Sequence, residues 1–212
     1  MPILQTYQFP TFEVLIWKVT EPLPFFIEAL ELTNSELSLL QQKYSKPIAL
    51  QQWLASRSGL QELFKTSHRD FKKNETGKLE LKDKRYQLSV SHSDAYISVA
   101  KSKQAIGLDL QVPTPKLERI ASKYLAAELL VELKKSPYYV DYLHLYWGIK
   151  EALFKAYGLG KVDFIQHLHI EPFDNVLKGN TKASIIKPNF KASYQVFYEK
   201  TTNYYLCIVT KE

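Results

Sequence analysis

One pattern constrains the fold more than any other: a two-strand unit that returns near the C-terminus. Tyr86-Gln-Leu-Ser-Val90 followed by Ala95-Tyr-Ile-Ser-Val-Ala-Lys101 alternates apolar and polar residues around a polar turn. Tyr194-Gln-Val-Phe-Tyr198 followed by Tyr204-Tyr-Leu-Cys-Ile-Val-Thr-Lys211 does the same. An amphipathic helix precedes each hairpin, near Pro47–Ser67 and near Asp141–Tyr157. Trp53 with Arg57 and Trp147 with Glu151 share one helical spacing. Each half also opens with a strand, Thr11–Val19 and Ala105–Leu110. Strand, helix and hairpin, given twice, predict an α+β protein of two similar lobes with antiparallel strands and packed helices. The boundary falls between residues 1–104 and 105–212. Chance likeness among short strands is the alternative. Gly158 and Gly160 punctuate the second helix, and Asn74–Gly77 marks a loop. Asn180 and Pro188 are expected to flank a strand over Ala183–Ile186.

A length of 212 residues suffices for one large domain or two small lobes. No apolar run approaches the roughly 20 residues of a membrane span. The start, Met-Pro-Ile-Leu-Gln-Thr, lacks the basic-then-apolar order of a signal peptide. The single cysteine, Cys207, lies in an apolar strand, which fits a buried thiol and a reducing cytoplasm. The net charge of +6 suits an anionic cofactor, an acidic protein or nucleic acid. The 14 tyrosines do not form the basic-aromatic pattern of an RNA-binding motif, so no nucleic-acid partner is expected.

The chemistry concentrates in three segments. Trp147, Glu151 and Lys155 lie at i, i+4 and i+8 on one helical stripe, while Ile149, Ala152, Leu153 and Ala156 form an apolar stripe. The Glu–Lys pair reads either as a surface ion pair or as a metal ligand beside a phosphate-neutralising cation. Ala105-Ile-Gly-Leu-Asp-Leu-Gln111 delivers Asp109 and Gln111 to one strand face. Asp109 reads as a turn residue or as a carboxylate reaching a cleft. Ser89-Val-Ser-His-Ser93 places a histidine between two hydroxyls. No His/Cys spacing suits zinc, and two carboxylates suit Mg²⁺.

In this order, and with Gly77-Lys78 upstream, the segments resemble the 4′-phosphopantetheinyl transferases of the surfactin-synthetase-activating type. That family has Ser-His-Ser, then Gly-x-Asp-x-Glu, then Trp-x-x-Lys-Glu-Ala-x-x-Lys. The resemblance is specific over roughly residues 75–160. It implies a pseudo-twofold arrangement with the active site between lobes. It also implies transfer of the 4′-phosphopantetheine arm of coenzyme A to a serine of an apo acyl or peptidyl carrier protein, with release of 3′,5′-ADP. Asp109, Glu151 and Gln111 would face Mg²⁺, Gln111 offering a neutral carbonyl oxygen where the family commonly has Glu. Ser91 and His92 would contact coenzyme A phosphates, and Lys150 and Lys155 would meet the leaving group's charge. Lys46, Arg57 and Lys78 are further phosphate candidates. Arg57 lies in Leu-Ala-Ser-Arg, similar to a Leu-Ala-Gly-Arg segment of the family. The serine proton is left between Glu128, which stands one position early in Tyr124-Leu-Ala-Ala-Glu128, and a water at the cation. Two lobes in one chain make a monomer sufficient. A degenerate member that binds coenzyme A or a carrier protein without catalysis is the alternative, and a basic nucleic-acid-binding protein, motivated only by charge, is the third reading.

Overall fold

The computed structural model describes residues 3–212. Among the described residues eleven strands form three sheets, and six α-helices accompany them. The first sheet has four strands in the order β1 (Ile3–Gln8), β2 (Phe12–Lys18), β6 (Tyr96–Ser102), β5 (Gln87–Ser93). The second has five, β7 (Ile106–Gln111), β11 (Tyr205–Lys211), β10 (Phe190–Lys200), β9 (Lys178–Lys187) and β8 (Leu168–Ile170). All pairings are antiparallel, as are those of a small ribbon, β3 (Phe71–Lys73) with β4 (Leu79–Leu81). The helices are α1 (Leu23–Ala29), α2 (Asn34–Lys43), α3 (Pro47–Phe64), α4 (Lys116–Arg119), α5 (Ala127–Leu133) and α6 (Tyr139–Tyr157).

Side-chain alternation sorts the strands into three cores. On β2 and β6, Leu15, Trp17, Ile97 and Val99 face α3. Val14, Ile16 and Ala100 face the other way, against Ile106, Leu108 and Leu110 of β7 and Leu206 and Ile208 of β11. On β11, Tyr205, Cys207 and Val209 face α6, with Ile149, Ala152, Leu153 and Ala156. Each of the two large sheets therefore has a helix on its outer face, and their inner faces pack on each other. Strands buried on both faces read as near-continuous apolar runs, which is why β2, β6, β7 and β11 were legible in the sequence.

Both hairpins form where expected, as β5–β6 and β10–β11. The helix expected near Pro47–Ser67, α3, ends at Phe64, because Lys65 takes a left-handed conformation (φ 52°). Ser67 instead caps a 3₁₀ turn, its Oγ accepting from the Arg69 amide. Asn180 does not flank a strand. It lies inside β9, paired with Phe197, since β10 is long enough to hold a ten-residue partner. The β1 strand and the β3–β4 ribbon were not expected. Among the described residues no helix is long and apolar enough to cross a membrane.

Candidate functional site

Edge strands β5 and β7 run side by side, yet no backbone ladder joins them among the described residues. Three serines on one face of β5 replace it. Ser89 Oγ accepts from the Leu108 amide at 2.9 Å, and Ser93 Oγ accepts from the Val112 amide at 3.0 Å. Between them, Ser91 Oγ donates to Asp109 Oδ1 at 2.9 Å. Alternation that keeps Leu108 and Leu110 in the inter-sheet core turns Asp109 toward α6.

Gly107 sets how close α6 comes. A Cβ built there would stand 1.8 Å from the Ala152 carbonyl oxygen, so only glycine permits this approach. Gly148 acts similarly one helical turn away, where a Cβ would lie 2.7 Å from Cys207 Sγ and 3.7 Å from Asp109 Oδ2. The approach brings Glu151 and Lys155 to Asp109. Lys155 Nζ donates to Asp109 Oδ1 at 2.8 Å, to Ser91 Oγ at 2.9 Å and to the Leu108 carbonyl at 2.9 Å. Asp109 Oδ2 is buried with no hydrogen-bond partner. Glu151 is half-buried and makes no hydrogen bond or ion pair among the described residues. Desolvation, and then the Asp109 charge, raise its carboxyl above the ordinary value, against the opposing Lys155 charge.

An orphaned buried carboxylate oxygen beside a second carboxylate of raised pKa is a cost that a cation removes. Among the described residues no three His, Cys, Asp or Glu side chains converge. Mg²⁺ does not need three, because it commonly takes one or two carboxylates and completes its shell with waters and phosphate oxygens. The donor set therefore fits Mg²⁺ bound together with a phosphate ligand.

A cavity of about 250 Å³ opens beside Lys155, between β4–β5 and the end of α6. Lys78, Ser89, Phe154, Gly158 and Gly160 line it. The loop before β4 straps the helix end, an arrangement with no local sequence signal. Lys78 Nζ donates to the Ala156 carbonyl at 3.3 Å and Thr76 Oγ1 to the Gly158 carbonyl at 2.8 Å. Both donors complement the negative end of the helix. Gly158 closes α6 with φ 66°, and the Lys78 side chain fills the space a Cβ would need.

The other expected site residues are spread more widely. His92 lies on the opposite face of β5 from Ser91, with an exposed surface, and desolvation of its ring followed by the Lys155 charge lowers its pKa. Ser91 is buried and spends its hydroxyl on Asp109 and Lys155 rather than presenting it to the cavity. Gln111 Nε2 donates to the Val112 carbonyl at 2.8 Å and to Ser93 Oγ at 3.2 Å, while its amide oxygen makes no hydrogen bond among the described residues. Arg57 is buried over the Trp53 ring, 5.2 Å from its centroid, and donates to the Phe71 carbonyl at 3.4 Å. Lys46 is exposed at the start of α3. Glu128 is exposed in the first turn of α5 and has no hydrogen bond or ion pair among the described residues. Trp147 packs edge-on against Tyr124 (5.1 Å) and beside Phe164 (5.8 Å), which anchors the helix.

Lys150 departs most from expectation. Five residues from Lys155, it points roughly 140° away around the helix. It is buried, and its ammonium donates to the Phe164 carbonyl. Burial lowers its pKa to about 8, partly offset by Asp163. Between about 8 and the ordinary value of 10.5 the unfolded chain therefore holds a proton that the folded chain does not. Stability is expected to rise with pH through that window. In Lys150→Met this rise, up to roughly 3 kcal/mol, should disappear. Denaturant unfolding of both proteins at pH 7.5 and pH 10 measures it, and parallel pH dependences would refute the assignment.

Residues 105–209 match the family model described as the 4′-phosphopantetheinyl transferase superfamily. No curated protein matches the chain. The matched segment runs from the residue before β7 into β11 and includes Asp109, Gln111, Glu151 and Lys155. Over this segment the chain is similar to the 4′-phosphopantetheinyl transferase superfamily.

Proposed function

We propose that the chain transfers the 4′-phosphopantetheine arm of coenzyme A to a serine of an apo acyl or peptidyl carrier protein, as the surfactin-synthetase-activating type does. The observation that carries this reading is the unpartnered Asp109 Oδ2 beside Glu151, tied through Lys155 to a cavity that Lys155 and Lys78 line. In the reaction the serine oxygen forms a bond to the phosphorus that bears the pantetheine arm. The bond from that phosphorus to the bridging oxygen breaks, 3′,5′-ADP leaves, and the serine gives up its proton.

Asp109 and Glu151 would hold Mg²⁺, with the Gln111 amide oxygen free to face it. Bound there, the ion would neutralise the pyrophosphate. Lys155 would meet the charge that develops on the leaving oxygens. Lys78, at the cavity wall, is the second cation for phosphate, and His92 is a candidate donor from the strand beside it. Arg57 and Lys46 would serve at the nucleotide end. Glu128 would have to be brought in by the carrier protein to act as base. The halves 1–104 and 105–212 are taken as pseudo-twofold lobes, sufficient as a monomer, with the buried reduced Cys207 suited to the cytoplasm. The net charge of +6 favours encounter with an acidic carrier protein.

A purified apo carrier protein incubated with coenzyme A, Mg²⁺ and the chain should gain the mass of the phosphopantetheine arm. The exposed Glu128 favours a second reading, a module that binds without catalysis. Coenzyme A binding with no mass gain would select it. Gln111→Glu separates ligand from bystander. The new carboxylate should lower the Mg²⁺ concentration for half-maximal activity. It also loses the amide donor to Val112, so the melting temperature should fall. An unchanged Mg²⁺ requirement would remove position 111 from the cation's surroundings.

A further inference from the structure

The sequence reading gives the Ser91 hydroxyl to a coenzyme A phosphate, but the structure gives it different work. Ser91 is 5% exposed, and its hydroxyl both donates and accepts. It donates to Asp109 Oδ1 at 2.9 Å and accepts from Lys155 Nζ at 2.9 Å. Lys155 closes the triangle on the same Asp109 oxygen at 2.8 Å. A carboxylate gripped twice through Oδ1 has one rotation about its terminal torsion left to it. That rotation leaves Oδ2 as the free oxygen, buried beside Gly148 and without a partner.

We infer that Ser91 is a positioning residue. It orients Asp109 so that Oδ2 alone is offered to a divalent cation, and it holds the Lys155 ammonium against Oδ1 and away from Oδ2. The inference rests on the proposed function, because it takes the Asp109–Glu151 pair as a cation site. Ser91 itself touches neither cation nor phosphate. Its neighbour Ser89 supplies the contrast. Ser89 lies on the same face of the same strand, is also 5% exposed, and bonds only the Leu108 amide. Loss of either hydroxyl weakens the seam between β5 and β7, but only loss of Ser91 frees the Asp109 carboxylate to turn.

The test is a titration of Mn²⁺ into the full chain at saturating coenzyme A, with free Mn²⁺ read by its electron paramagnetic resonance signal. Ser91→Ala is expected to weaken Mn²⁺ binding roughly tenfold or more, the scale set by partners that orient metal ligands. Ser102→Ala, which removes a buried β6 hydroxyl that donates to the Thr11 carbonyl, should stay within about threefold of wild type on the same scale when compared at equal folded fraction. The Michaelis constant for coenzyme A should move little in Ser91→Ala. If Ser91→Ala does not fold, Ser91→Cys keeps the volume but only a weak donor, and should show the same direction. Equal Mn²⁺ affinities in wild type and variant overturn the positioning role. So does a raised coenzyme A Michaelis constant with unchanged Mn²⁺ affinity, which returns Ser91 to direct phosphate contact. A wild-type chain that holds no Mn²⁺ overturns the cation site itself and the positioning role with it, a result distinct from the other two.

Discussion

Glu151→Gln is expected to lower the transfer rate roughly a hundredfold or more while leaving the fold intact. The substitution keeps size and helix propensity and removes one anionic oxygen. In the free protein that oxygen is a liability. Desolvation and Asp109 hold the Glu151 carboxyl above its ordinary pKa of 4.5. The folded chain therefore binds more protons than the unfolded chain as pH rises from 4.5 through the raised value, and stability falls across that window. Above it the loss is complete, so there Glu151→Gln should be at least as stable as wild type. The two states separate on adding Mg²⁺ with 3′,5′-ADP. Wild type should gain melting temperature because the ligands bind only the folded state, and the variant should gain little. A variant that transfers normally at limiting Mg²⁺, or that gains as much melting temperature as wild type, removes Glu151 from the site.

Gly107→Ala is expected to have the largest effect on stability. A Cβ at 1.8 Å from the Ala152 carbonyl oxygen, and 2.9 Å from the Ala156 amide nitrogen, meets helix backbone on both sides. Backbone cannot rotate away as a flexible side chain can, so α6 must move off β7. Overpacking of this kind costs about 1–3 kcal/mol or more. The same displacement would carry Glu151 and Lys155 away from Asp109. Loss of stability and loss of cation affinity should therefore arrive together, measured by denaturant unfolding and by the Mn²⁺ titration. A variant as stable as wild type with an intact site would show that the contact between α6 and β7 is looser than described. Gly77 offers the contrast, since nothing lies within 4 Å of a Cβ there and only its positive φ of 83° resists substitution.

Much of this arrangement was legible before folding. Alternation in β5–β6 and β10–β11, and the two helical stripes ahead of them, follow from short-range periodicity, which a sequence carries directly. The stripe of Trp147, Glu151 and Lys155, with Asp109 at the end of an apolar strand, was likewise a matter of spacing, and the structure does bring the last three together. What spacing could not supply was partner choice across the seam. The face of β5 that carries Ser89, Ser91 and Ser93 reads as polar, and a polar strand face is normally solvated. Only tertiary packing against β7 turned it into a row of substitutes for a backbone ladder, because two edge strands that cannot pair must still satisfy their buried amides. The same holds for Lys150 and Lys155. Both are lysines on one helix, and sequence gave them one role. A rotation of roughly 140° and the loop that carries Phe164 sent one into the core and the other to Asp109. Periodicity decided which faces are buried. Which buried group meets which was decided by the approach of α6 to β7 at Gly107, a distance no local pattern encodes.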